Sequence, residues 1–244
     1  MNKNDSVDKF YKSQYAEEGL YDLGLRHQLL INLLEGRIGK QVLEIGCGNG
    51  PFAGKVSSHF HLDRIYGVDI SADAIKSACG AGIIGACVNL DLEDLAFKDA
   101  SFDTVICGDV IEHLISPDHL LEEIHRVLKP EGHLLITTPN LASWYNRLLL
   151  LFGHQPYFSD ISVRYPANAP FRSSLPHNHL RLFTLHSFIF LLQKYNFKIV
   201  KRVGVGVNTN IGYGKKFKCL AKVLNVIFKS ASTNSEICIL AKKS

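Results

Sequence analysis

From Gln41 to Pro139, short unbroken apolar runs alternate with longer stretches whose apolar residues recur every three or four positions. The runs are QVLEIG (41–46), RIYGVDI (64–70), ACVNLD (86–91), FDTVICG (102–108) and HLLITTP (133–139). A strand that is apolar at every position has both faces covered, and such strands belong to parallel sheets flanked by helices. Two later runs, FKIVKRVGV (197–205) and EICILAKK (236–243), complete a set of seven, with the last two as antiparallel neighbours. The pattern predicts one α/β domain over 1–244: a seven-stranded, mostly parallel sheet with helices on both faces and an antiparallel last strand.

The stretches between strands carry helix start signals. Pro51 follows Gly50 at the first turn of one, and Ser71 stands as N-cap of SADAIKSA. In SPDHLLEEIHRVLKP, Ser116 is the expected N-cap and Pro117 the first helical residue. Leu120, Leu121, Ile124, Val127 and Leu128 then follow at helical spacing, and the helix stops before Pro130-Glu131-Gly132. Thr184 opens a further helix, LHSFIFLLQKYN.

Three segments break the rhythm. Residues 1–39 read as an N-terminal helical cover, with Tyr11 and Tyr15 available to close over a ligand. Residues 140–183, crowded with Asn, Ser, Pro and aromatics, read as a lid or substrate insertion after strand five, helical near Trp144 to Phe152. Its aromatics, Tyr157 and Phe158 among them, suit the enclosure of a ring-shaped acceptor, although a satellite core under the insertion is the ordinary outcome. Residues 206–233 read as a helical insertion in which Lys215, Lys216, Lys218, Lys222 and Lys229 surround Phe217, Leu220, Leu224, Ile227 and Phe228. A basic amphipathic helix over 215–229 is suited to peripheral contact with an anionic membrane. A solvated face on a packed helix is the commoner use of that pattern.

Composition narrows the function classes. The 244 residues carry 27 Lys and Arg against 23 Asp and Glu, a net charge of +4, too little and too scattered for a nucleic-acid domain. A DNA partner is not expected, and RNA is disfavoured. The six cysteines form no CxxC pair, which argues against structural zinc and suits a reducing cytoplasm. The stretch MNKNDSVDKF lacks the apolar core of a signal peptide, and no run approaches the roughly 20 apolar residues of a membrane span.

The candidate chemistry begins at VLEIGCGNG, where a strand runs into Gly46, Gly48 and Gly50. Glycines so spaced let the backbone turn tightly and approach a ligand. Asp69 ends the next strand, where an acid can accept both hydroxyls of a ribose. A dinucleotide site wants GxGxxG and a pyrophosphate. Here the spacing is GxGxG, and Glu44, Asp69 and Asp91 surround it with acids, a mouth suited to a cationic nucleoside. S-adenosylmethionine, with its sulfonium, ammonium and adenosine, is such a ligand.

In order, VLEIGCGNG, GVDIS, NLDLED, FDTVICGDVIEHL and LKPEGHLLITTPN resemble class I S-adenosylmethionine-dependent methyltransferases, most of all the small-molecule subgroup called type 11 that includes the ubiquinone-biosynthesis O-methyltransferases. The resemblance covers about residues 40–140 and implies a Rossmann-like fold with S-adenosylmethionine as cofactor. It implies that Gly46, Cys47 and Gly48 lie against the methionine part and that Glu44 organises their loop. Asp69 would bind the ribose, with Ile70 packed on the adenine. Asp91 would accept from the adenine amino group, with Leu92 beside the ring. Cys107 would line the donor pocket by its backbone, with Asp109 near the methionine end. Ile70 and Leu92 as plain core residues, and Asp91 as a turn cap, are the structural alternatives.

Methyl transfer to a hydroxyl calls for a base near the carboxyl ends of the strands, and His113 and His179 are the candidates, with His177 beside them. The expected acceptor is a small molecule: a sugar, a phenol or quinone, or a lipid-linked intermediate. Two other readings stand beside it. Metal-dependent RNA ribose methyltransferases have a similar acid-x-x-Glu-His motif and a later His, here Asp109, Glu112, His113 and His179, yet the chain has no appended RNA-binding module. A non-catalytic S-adenosylmethionine-binding protein would keep the same glycine loop. No metal ligand is assigned, because the short run from Glu112-His113 to the helix start at Ser116 leaves the shared face of that motif open.

Overall fold

The computed structural model describes residues 23–162, 178–206 and 230–244. Its elements run α1 (Leu23–Leu34), β1 (Val42–Ile45), α2 (Pro51–Phe60), β2 (Tyr66–Asp69), α3 (Ala72–Gly80), β3 (Ile84–Cys87) and β4 (Phe102–Gly108). A 3-10 turn (Ile111–His113) follows, then α4 (Pro117–Val127), β5 (Leu128–Pro139), α5 (Trp144–Leu151), α6 (Leu185–Lys194), β6 (Phe197–Val205) and β7 (Glu236–Lys243). The strands form one sheet in the order β3-β2-β1-β4-β5-β7-β6. β7 is antiparallel to both its neighbours, and the β1–β5 pairings are parallel, as expected for a mostly parallel sheet with a reversed last strand.

The apolar runs fill both faces because successive side chains point opposite ways. Val42, Ile106, Leu135, Cys238 and Leu240 face α1 and α2, where they meet Leu30, Leu34, Phe52 and Val56. Leu43, Ile45, Val105, Leu134, Ile136 and Ile239 face α4 and α6, where they meet Leu120, Leu121, Ile124, Phe188 and Leu192. The caps hold the helix starts as their sequences demand. Ser71 accepts from the Ala74 N–H and Ser116 from the His119 N–H, and Thr184 forms a reciprocal capping box with Ser187.

Two strand boundaries differ from expectation by more than two residues. β3 occupies 84–87 rather than 86–91, because its partner β2 ends at Asp69, which pairs with Cys87, and no ladder remains for Val88 onward. β5 begins at Leu128 rather than His133. Leu128 pairs with Phe102, and the turn through Lys129–Gly132 is absorbed as a register shift before His133 pairs with Thr104.

The 140–183 segment is tied down at its two ends. Asn140 and Phe183 form a parallel bridge, and the buried Asn140 amide donates to the Asn234 carbonyl at 2.8 Å. α5 lies at 144–151, as expected. The predicted basic helix at 215–229, together with Tyr11, Tyr15 and His177, lies outside the described residues. Among the described residues, no helix is long and apolar enough to cross a membrane.

Candidate active site

The carboxyl ends of β1, β2 and β4 open onto a cavity of about 360 Å³. Its floor is the glycine loop. Gly46 has φ +73°, and a Cβ there would stand 2.2 Å from Val110 Cγ2. The Gly46 and Cys47 amides donate to the Val68 carbonyl, and the Gly48 amide donates to Asp69 Oδ2 at 2.8 Å. Asp69 Oδ1 accepts from the Ser71 amide at 2.9 Å, so one carboxylate couples the loop after β1 to the start of α3.

Glu44 is buried beneath this loop, with Oε2 lacking any hydrogen-bond partner. Burial pushes its pKa up to about 8, against the pull of the Ala53 amide and the Arg26 charge. A buried acid with one oxygen left unpartnered is costly to keep ionised, and a cationic ligand group is the natural remedy. The same burial, with Glu44 and Asp69 nearby, pushes the Cys47 thiol up, so that side chain is an inert filler rather than a nucleophile.

Of the predicted cofactor residues, Glu44, Gly46, Cys47, Gly48, Asp69, Ile70 and Asp109 line the cavity. Asp91, Leu92 and Cys107 do not. Asp91 turns away to accept from the Ile115 and Ser116 amides, capping the approach to α4. Leu92 is 81% exposed. The Cys107 side chain is fully buried among the residues on the α4–α6 side of the sheet. Val88, Asn89 and Leu90, just after β3, line the cavity wall.

The wall opposite the loop belongs to DVIEHL, and here the residues divide. Asp109 adopts φ +53°, and its carboxylate turns to Arg26 Nη2 at 2.6 Å and the Thr137 hydroxyl at 2.9 Å. Arg26 also holds Glu236 on β7 at 2.7 Å. Burial works against the guanidinium charge, but Asp109 and Glu236 hold its pKa above the ordinary value. Glu236 is pushed up to about 7 by burial despite that partner. Neither Arg26 nor Glu236 was singled out from the sequence. The signal was there, since Arg26 interrupts an apolar helix face and Glu236 opens a strand whose first six residues are buried.

Glu112 and His113 go the other way. They occupy the 3-10 turn, and the Glu112 carbonyl accepts from the Leu180 and Arg181 amides at 2.8 and 2.9 Å. That clamp brings His179 beside His113, with ring centroids 4.7 Å apart. Ligand atoms of Glu112, His113 and His179 lie within 4.8 Å of one another. Asp109, Glu112, His113 and His179 therefore do not converge as a set of four. Burial, and secondarily the Asp109 charge, push the Glu112 pKa well up. Phe158 packs 5.5 Å from the His179 ring and closes this side of the cavity.

A family profile described as a methyltransferase domain matches residues 16–202. A probable S-adenosylmethionine-dependent methyltransferase of Mycolicibacterium smegmatis is 33% identical over 129 residues, covering 47% of this chain and 44% of that protein. A ubiquinone biosynthesis O-methyltransferase of Idiomarina loihiensis is 31% identical over 122 residues, 46% of this chain and 49% of that one. The chain thus spans about half the length of the curated relatives it matches. Among solved structures, a Thermotoga maritima S-adenosylmethionine-dependent methyltransferase, described as a possible histamine N-methyltransferase, superposes with TM-score 0.57 at 20% identity, covering 89% of each chain. That likeness concerns the fold. The profile match spans most of the sheet and the whole cavity floor, and the chain belongs to the methyltransferase-domain family.

Proposed function

We propose that the protein transfers the methyl group of S-adenosylmethionine to a hydroxyl of a small organic acceptor. The observation that carries the reading is Glu44: a buried carboxyl with a partnerless oxygen, beneath a glycine loop that forms the cavity floor and in which a Cβ at Gly46 would collide with Val110. An ammonium-bearing nucleoside fits that donor set, whereas a pyrophosphate would meet the acids. Bound S-adenosylmethionine supplies a methyl already activated on a sulfonium, so the protein's task is alignment and exclusion of water. Glu44 and the Gly46–Gly48 backbone would hold the amino-acid end. Asp69 would accept from the ribose hydroxyls, and Ile70, Asn89 and Leu90 would hold the base. Asp109, fixed by Arg26, shapes the methionine end. His113 and His179 form the polar wall on which the acceptor hydroxyl would sit and give its proton to one of the two imidazoles. Its oxygen then bonds to the methyl carbon as the carbon–sulfur bond breaks, the electron pair going to sulfur. The reading of a hydroxyl acceptor draws on this imidazole pair and on the likeness to an O-methyltransferase over half its length.

Calorimetric titration with S-adenosylmethionine tests the donor. A carboxyl titrating near 8 is almost wholly protonated at pH 6, while the ammonium of the ligand needs it ionised. Affinity should rise by on the order of tenfold or more from pH 6 to pH 8, with a proton released on binding. The Glu44→Gln variant should bind weakly and lose that slope. No heat of binding at either pH sinks the donor assignment. A tritium-methyl transfer screen over sugars, phenols and lipid extracts, with amines as the contrast, tests the acceptor; label passing only to amines would overturn the hydroxyl reading.

A further inference from the structure

We infer that Glu112, His113 and His179 form a binding site for one divalent first-row transition ion at the acceptor end of the cavity. The donors are a carboxylate and two imidazoles, brought from segments 66 residues apart (179 − 113), with ligand atoms all within 4.8 Å of one another. An ion with bonds of about 2.1 Å holds its donors about 3–4 Å apart, so small side-chain rotations close the set.

Five features mark a built site rather than a chance cluster. Glu112 is fully buried, and its Oε1 has no hydrogen-bond partner. Its Oε2 accepts from the Thr138 hydroxyl at 3.1 Å, which fixes the plane of the carboxylate. His113 Nδ1 faces the Asn178 carbonyl at 3.3 Å, the contact that places a proton on Nδ1 and leaves Nε2 as a ligand. Asn178 itself sits at φ +59° and is held by Asp160 through its amide at 2.8 Å, so the backbone beside His179 is fixed too. The clamp of the Leu180 and Arg181 amides on the Glu112 carbonyl holds both segments in register without any help from the side chains.

Two imidazoles and one carboxylate suit zinc, cobalt, iron or manganese rather than magnesium, which prefers oxygen donors and keeps its waters. Three protein ligands leave coordination positions open toward the cavity. For the role of the ion the inference rests on the hydroxyl-acceptor reading. The acceptor oxygen binds at an open position, its O–H ionises there, and the proton passes to water. The oxygen lone pair then takes the methyl carbon as the carbon–sulfur pair returns to sulfur. His113 and His179 in that case act as ligands and not as free bases.

The test is metal binding itself, on the full chain stripped by chelator. Cobalt(II) chloride alone should titrate to one equivalent with visible d–d bands, and zinc chloride should displace it. The His179→Ala and Glu112→Gln variants should weaken cobalt binding by about 100-fold or more, and Thr138→Val by about 10–100-fold, since outer contacts usually cost that much. Circular dichroism melts verify that each variant is folded, and Thr138→Val, which removes one hydroxyl, keeps the test valid should a ligand variant unfold. Absence of a stoichiometric site in the native chain, or cobalt affinity unchanged across the folded variants, overturns the inference. S-adenosylmethionine calorimetry on the same samples separates the two readings: cobalt binding without nucleoside binding leaves the ion site standing and removes the methyl donor.

Discussion

Replacing Arg26 by methionine should lower the folding free energy by about 3–5 kcal/mol, the usual loss when one member of a buried ion network is removed. For a chain of this length that is a fall in Tm on the order of 10 °C. The size follows from what the guanidinium leaves behind. Glu236 is fully buried and Asp109 is two-thirds buried, and Arg26 is their common partner at 2.7 and 2.6 Å. The loss should also depend on pH in a definite direction. Glu236 already titrates near 7 with Arg26 present, and without it burial pushes the carboxyl higher still. An acid whose folded pKa is raised keeps its full stability below the unfolded value, near 4.5, and loses it as pH rises through the folded value. The variant should therefore stand nearest the native chain at pH 5 and furthest from it at pH 8. Urea unfolding at the two pH values measures the gap. A loss that is the same at both would mean that Glu236 is not the group left stranded.

The second large effect belongs to Gly46. The Gly46→Ala variant should weaken S-adenosylmethionine binding by on the order of 100-fold, about 2.7 kcal/mol. Two costs combine there: a left-handed φ of +73°, and a Cβ that would lie 2.2 Å from Val110 Cγ2. The clash can be relieved only by moving Val110, and with it the segment that carries Asp109 and the 3-10 turn. Gly36 provides the control. It has φ +68°, and a Cβ there would meet nothing within 4 Å, so Gly36→Ala should show the dihedral cost alone, about 1–2 kcal/mol of stability with nucleoside binding untouched. Equal binding by the two alanine variants would show that the close approach of Val110 does not matter.

The sheet and the cavity floor could be read from the chain because both depend on local signals. Unbroken apolar runs, a proline at a first turn and a serine before a helix are each decided by a few neighbours. The glycine loop is likewise a backbone requirement written into consecutive residues. The misplaced boundaries have a different cause. The extent of β3 is set by where β2 stops, and that of β5 by the pairing of Leu128 with Phe102. Neither is visible within the strand concerned. The same holds for the wall of the site. Asp109, Glu112 and His113 have the spacing of one helical face, yet Asp109 answers to Arg26, 83 residues away, while His113 answers to His179, 66 residues away. Polar residues choose their partners across the fold, so a motif shows which chemistry is available and not which side chains meet.

The place of β7 in the sheet bears on how the protein is made. It is the last of the described strands in sequence, but it lies between β5 and β6. As a polypeptide emerges from the ribosome at about 5–20 residues per second, earlier segments collapse before later ones exist. β6 can join no neighbour until β7 has been synthesised, and β5 meanwhile presents an open edge to other nascent chains. Glu236 arrives with the same strand, so the charge that steadies Arg26 beside the cavity is also the last to come. Closure of the sheet and completion of the ion network therefore fall together, once β7 has been made, and shielding the β5 edge until that moment is the task that falls to any cellular folding helper.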